Sequence, residues 1–152
     1  MMARAIELAQ HAASIGEVPV GAVVYCNTEV LGEGYNRRES DRDPTAHAEM
    51  LALRQAAEQR GSWRLEDCSL AVTLEPCPMC AGAIVNARIA RLVYGAADPK
   101  MGCVQTLHQL CSEQRFNHRV QLIACIEAER CGQLLKEFFQ ARRNGGNKGK
   151  PS

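Results

Sequence analysis

The chain of 152 residues has no long apolar run, no excess of charge of either sign and no internal repeat. Each absence removes a class of protein. Without a long apolar run no segment reads as a membrane span. The opening MMARAIELAQHAASIGE is broken by Arg4, Glu7, Gln10 and His11 and holds no hydrophobic stretch of the signal-peptide kind. A cytoplasmic protein without a membrane partner is therefore expected. A formal net charge of +1 neither excludes nor advertises nucleic acid, so charge has to be read locally. With no repeat, the length and the 46% hydrophobic content fit one domain around one core.

A second short-spaced cysteine pair is also missing. Of 8 cysteines only Cys77 and Cys80 are close together, in EPCPMC at 75–80. Cys26, Cys68, Cys103, Cys111, Cys125 and Cys131 are scattered and read as small buried hydrophobes. In a reducing compartment a Cys-x-x-Cys pair is a redox couple or half of a metal site rather than a disulfide. A closed four-ligand site would have to recruit a lone Cys68, Cys103, His108 or Cys111.

What is present alternates in type. Apolar residues Ala5, Ile6, Ala9, Ala12 and Ala13 predict a helix over 3–13, ended by Gly16. VGAVVYC (20–26) and VLGEGYN (30–36) predict a hairpin about the turn NTE. The charged RRESDRD (37–43) reads as a solvated loop. Asp43 is a candidate N-cap, with Pro44 as first helical residue, for a helix that Gly61 ends. Strand 69–74, a helix from EPCPMC onward and strand 89–97 form a crossover unit, followed by strand 120–125 and a helix over 127–143. The fold class is α/β, a central sheet covered by helices, with one domain over 1–143. The basic, glycine-rich remainder, 144–152, is expected to be disordered.

Two helix starts carry the chemistry. TAHAEM (45–50) supplies His47 and Glu49, and EPCPMC supplies Cys77 and Cys80. One imidazole and two thiolates suit one Zn²⁺ per subunit and leave a fourth position for water. A helix N-terminus favours thiolate over thiol. Glu49 is not the far end of a capping box, because Ala46 stands where Ser or Thr would be needed. Two residues apart, His47 and Glu49 converge only from a first helical turn, with the site beyond the helix end. Zinc lowers the pKa of bound water from about 15.7 to around 7. A carboxylate beside it, not itself a ligand, can carry protons. Attack on an amidine-like carbon with loss of ammonia is hydrolytic deamination.

His-Ala-Glu followed by Pro-Cys-x-x-Cys resembles the zinc-dependent cytidine deaminase superfamily, and within it the tRNA adenosine deaminases. The resemblance runs through EVPVGAVV (17–24), GEGYNRRE with DPTAHAEMLALRQA (32–57), VTLEPCPMCAGAIVNARIARLVYGAADPKMG (72–102), NHRV (117–120) and LLKEFFQARR (134–143). It implies a three-layer cytidine-deaminase-like fold with a mixed five-stranded sheet, and conversion of a wobble adenosine to inosine. His47, Cys77 and Cys80 are then the zinc ligands and Glu49 the proton shuttle. Asn36 would contact the flipped purine and Asp98 would lie near the preceding nucleotide. Phe138, Phe139 and Arg142, with Arg143 and basic Lys136, Lys148 and Lys150, would meet the anticodon stem-loop. Ala97 departs from the family, where arginine is expected. A homodimer is implied as well. The alternatives are a deaminase of a free base or nucleoside, and a noncatalytic zinc module.

Overall fold

A computed structural model describes residues 1–146. Of the tail expected to be disordered over 144–152, residues 147–152, with Lys148 and Lys150, lie outside the described residues, and 144–146 are helical instead. Helix α4 (Ala128–Gly146) continues three residues past the expected domain end.

Five strands make one mixed sheet in the order β2-β1-β3-β4-β5. β1 (Gly21–Cys26) and β2 (Glu29–Tyr35) form the expected antiparallel hairpin. Asn27 takes positive φ in its two-residue turn. β1 also runs antiparallel to β3 (Ser69–Leu74), while β3, β4 (Arg91–Ala96) and β5 (Gln121–Ile123) are mutually parallel neighbours. The parallel β3–β4 pair needs a crossover, and α3 (Pro78–Asn86) supplies it.

Helices cover both faces. Ala22, Val24, Leu70 and Val72 point into one core with Ala48, Ala52, Ala56 and Ile84 of α2 (Ala48–Arg60) and α3. Their neighbours Val23 and Ala71 point the other way, toward Ala5 and Ile6 of α1 (Met2–Ser14) and Cys131 of α4. The period-two alternation of strand side chains thus produces three layers. Helix α2 lies against β2 because Gly32 and Gly34 present no side chain. A Cβ on Gly34 would collide with the Ala48 carbonyl oxygen, and one on Gly32 with that of Ala52.

Two local expectations fail. Helix α2 begins at Ala48, with His47 as N-cap, rather than at Asp43 and Pro44. The Asp43 carboxylate is occupied locally: its Oδ1 accepts from the Thr45 amide at 2.8 Å and the Thr45 hydroxyl at 2.7 Å. That Asx-type turn holds 43–45 outside the helix. Cys125 is exposed rather than buried, since β5 ends at Ile123 and leaves it in the following turn with φ of 62°. Cys26 is half-buried, its thiol 3.2 Å from Asp67. Cys68, Cys103, Cys111 and Cys131 are buried as expected.

Candidate metal centre and active site

The later start of α2 still satisfies the geometric condition. His47 is N-cap of α2 and Glu49 lies in its first turn, while Cys77 is N-cap of α3, Pro78 its first residue and Cys80 two further on. Both caps are extended, with ψ of 152° at His47 and 175° at Cys77, so both side chains project past their helix ends. The crossover places the α3 start at the carboxyl end of β3, where open α/β sheets bind ligands.

His47 Nδ1 lies 3.6 Å from Cys77 Sγ and 3.6 Å from Cys80 Sγ, and all three ligand atoms fall within 4.8 Å of one another. Bonds of about 2.3 Å to sulfur and about 2.0–2.1 Å to nitrogen, meeting near the tetrahedral angle, set an S···N separation of about 3.6 Å. The three atoms are spaced to hold such an ion. They are the only such group of three among the described residues, and Cys68, Cys103, His108 and Cys111 take no part. Two helix N-termini aim their positive ends at the thiolates.

Of the two sulfurs, one is poised as a thiolate and the other holds its proton. The Cys77 thiol is pulled down to about 4, first by a hydrogen bond with Cys80 and, against burial, by another with His47. Cys80 is pushed well up by that same bond and by burial. The bond to Cys77 raises His47, opposed by burial. Glu49, 4% exposed, is raised to about 7 by burial, with the charge of Cys77 adding to the shift. At neutral pH such a group both accepts and donates protons.

Beside the centre lies a pocket of about 230 Å³, bordered by His47, Glu49, Cys77, Asn36, Asp98 and Met101 among others. This is below the roughly 300–1,000 Å³ of sites for drug-sized ligands and suits a single base. Asn36 is 8% exposed, its Nδ2 donating to the Val18 carbonyl at 3.3 Å and its Oδ1 accepting from the Arg38 amide at 3.1 Å. Asp98 stands on the opposite loop, its Oδ1 accepting from the amides of Lys100 and Met101 at 2.9 and 3.2 Å.

Phe138, Phe139 and Arg142 do not border the pocket. The two rings meet edge to face at 5.4 Å, and the Arg142 guanidinium lies 4.9 Å from the Phe138 centroid. Arg142 also donates to the Gly16 carbonyl at 3.2 Å, two residues before Val18 of the pocket wall. The end of α4 is thereby brought toward the same side of the molecule.

Sequence reasoning missed three residues. Arg38 is exposed, as expected of its charged segment, and also borders the pocket. Glu17 and Glu75 are each 1% exposed. Burial raises the affinity of each for a proton, but hydrogen bonds outweigh it and leave both carboxyls below their ordinary value. The donors include the Ser40 amide and hydroxyl for Glu17, and the Gln105 amide and Thr106 hydroxyl for Glu75. Only Glu75 carried a local signal, as a lone carboxylate between the apolar end of β3 and Pro76.

The family model for MafB19-like deaminases matches residues 1–143. A tRNA-specific adenosine deaminase of Bacillus subtilis is 47% identical over 142 residues, covering 93% of this chain and 88% of that one. A solved structure from a study of A-to-I editing by tRNA:A34 deaminases at the wobble position is 40% identical and superposes with a TM-score of 0.85, covering 88% of this chain and 97% of the other. A guanine deaminase from Bacillus subtilis is more distant, at 31% identity and a TM-score of 0.62 over 94% and 91% of the two chains. The chain belongs to the deaminase family whose members include the tRNA-specific adenosine deaminases.

Proposed function

We propose that the protein deaminates the wobble adenosine of a tRNA anticodon to inosine, with His47, Cys77 and Cys80 holding Zn²⁺ and Glu49 moving protons. The observation that carries this is a buried carboxylate, raised to about 7, in the first helical turn after a metal-spaced His/Cys/Cys group. Zinc, when bound, supplies a Lewis acid that makes water a competent nucleophile near neutral pH. The Glu49 carboxylate takes a proton from the attacking water and delivers it to N1 of the purine. It then passes the proton of the new hydroxyl to the exocyclic nitrogen, which leaves as ammonia. One water is consumed and one ammonia released. Asn36 would orient the ring, and closure of the small pocket around it would exclude other water.

The pocket admits a base only once it has left its stack, which an anticodon loop permits at little cost. Phe138, Phe139, Arg142 and Lys136 are assigned to the loop and its phosphates, and Asp98 to the nucleotide before the target. A second copy is proposed to cover the apolar surface beside α2 and α3, where Met50, Leu53 and Ala57 adjoin Trp63, which is 57% exposed. Sedimentation would show a dimer that Trp63→Glu dissociates. A cytoplasmic location follows from the substrate; no helix among the described residues is long and apolar enough to cross a membrane.

The likeness to a guanine deaminase keeps a free base as the second reading. One experiment separates the two. Zinc-replete protein is incubated with an anticodon stem-loop bearing a wobble adenosine, and separately with guanine, adenosine and cytidine. Inosine in the RNA with little turnover of the free compounds supports the tRNA reading, and its absence overturns it. A noncatalytic zinc module would show turnover of none.

A further inference from the structure

Three carboxylates are buried among the described residues, Glu17, Glu49 and Glu75. Glu49 belongs to the centre. The other two form no ion pair among the described residues, and backbone amides meet their charge instead. Glu75 Oε2 accepts from the amides of Val104, Gln105 and Thr106 at 3.1, 3.0 and 3.0 Å. Its Oε1 accepts from the Asp98 amide at 3.2 Å and from the Thr106 hydroxyl. Glu17 Oε1 accepts from the Ser40 amide at 2.6 Å and the Ser40 hydroxyl at 2.7 Å, and its Oε2 from the Glu39 amide at 3.3 Å.

Every donor lies in one of two loops, and each loop is one wall of the pocket. The loop after β2 carries Asn36 and Arg38; the loop after β4 carries Asp98 and Met101. Neither loop has strand or helix partners for these amides, so the carboxylates replace secondary structure as their acceptors. The approach is close: a Cβ on Gly102 would lie 2.5 Å from both the Glu75 carboxyl carbon and the Asp98 carbonyl oxygen. Both residues are also registered to the centre. Glu75 is two residues before Cys77, and its amide donates to the Ala96 carbonyl at 2.8 Å. Glu17 precedes Val18, whose carbonyl holds Asn36.

We propose that Glu17 and Glu75 are positioning residues, each holding one polar wall of the pocket at a fixed distance from the metal centre. Glu17 does not border the pocket; Glu75 does, but the five hydrogen bonds its carboxylate accepts all come from the loop after β4, so both act through the loops. The proposal rests on the tRNA adenosine reading for its kinetic outcome, though not for its structural one.

Glu17→Gln and Glu75→Gln keep side-chain shape but turn an amino group toward amide donors. In the full chain, zinc content should be unchanged. Hydrogen exchange should quicken at 39–40 in the first variant and at 98–106 in the second. KM for the stem-loop should rise about tenfold while kcat stays within about threefold. Ser40→Ala and Thr106→Val remove one hydroxyl donor each and should raise KM about threefold, so the test survives if the glutamine variants do not fold. Unchanged KM in folded, zinc-replete variants overturns the proposal. So does a loss confined to kcat, or exchange that quickens throughout the chain. If the wild-type protein makes no inosine, the adenosine reading fails, and loop-specific exchange alone decides whether the carboxylates hold the walls.

Discussion

Cys77 Sγ and His47 Nδ1 stand 3.6 Å apart, each at the N-cap of its own helix, and neither side chain caps that helix by a hydrogen bond. Helix N-caps are where Ser, Thr, Asp and Asn normally satisfy orphan amides. Two adjacent helices forgo that stabilisation, which places both donor atoms beyond the helix ends and within reach of one ion.

Cys77→Ser separates the two roles. Serine is a strong N-cap and a poor zinc ligand, so zinc content and deamination should both collapse. The variant should nevertheless be more stable than metal-free wild type by about 0.5–2 kcal/mol. Thermal melts of both proteins in chelator check the sign, and a lower melting point in the variant would refute the trade between capping and ligation.

Glu49→Gln keeps the shape of the buried side chain and removes its capacity to accept a proton. Turnover should fall by about 10²–10⁴-fold while bound zinc, measured by atomic emission, stays at the wild-type level. Loss of zinc along with activity would instead place Glu49 among the ligands.

The grouping of His47, Cys77 and Cys80 was legible because its signals are local: Cys-x-x-Cys after a strand, and His-x-Glu at a helix start. The hairpin and the β3-α3-β4 crossover were legible for the same reason, alternation and turn residues being short-range. The start of α2 was misplaced because Asp43 has two competing local uses, and only tertiary context selects the turn on Thr45. Glu17 and Glu75 stayed hidden because their partners are distant in sequence, Ser40 for one and Val104 to Thr106 for the other. Arg38 is exposed, as its charged segment suggests; what the sequence did not reveal is that Glu17 draws that loop to the pocket's edge.

Glu17 also sets an acid limit on stability. Burial opposes its ionisation, but the Ser40 and Glu39 donors prevail and its folded pKa lies below the ordinary value of 4.5. A depressed carboxyl stabilises the fold fully above its unfolded pKa and loses that contribution as pH falls through the folded one. Wild type should therefore lose stability below about pH 4.5 more steeply than Glu17→Gln, whose stability is lower near neutrality but flatter in acid. Urea melts across pH 3–7 at about 25 °C would show the two curves converging downward.

Gly34 links fold and site, since α2 rests on it through Ala48, the residue next to His47. Gly34→Ala must push the first turn of α2 off the sheet. Overpacking of this kind costs about 1–3 kcal/mol, and here the obstacle is backbone. Melting temperature should fall, and zinc affinity with it, while Gly82→Ala, at a helical position of α3 that meets nothing within 4 Å, should lower neither and raise the melting temperature slightly. Equal losses in the two variants would show that the close approach of α2 to Gly34 is not what the alanine disrupts.

Phe139 and Arg142 test the RNA surface in different currencies. Phe139 is 44% exposed, a large apolar ring open to solvent, whereas Arg142 covers Phe138 and bonds to Gly16. A ring that stacks on a base contributes about 1–3 kcal/mol with little dependence on salt. A guanidinium that meets one phosphate changes the slope of log K against log salt by about 0.7–0.9. Phe139→Ala should thus weaken stem-loop binding at every salt concentration and leave the slope intact. Arg142→Ala should make the slope shallower, weakening binding most at low salt and least at high salt. Titrations from about 50 to 200 mM salt separate the two. If both variants bind like wild type, the end of α4 is not part of the RNA surface, and substrate choice rests on the pocket walls alone.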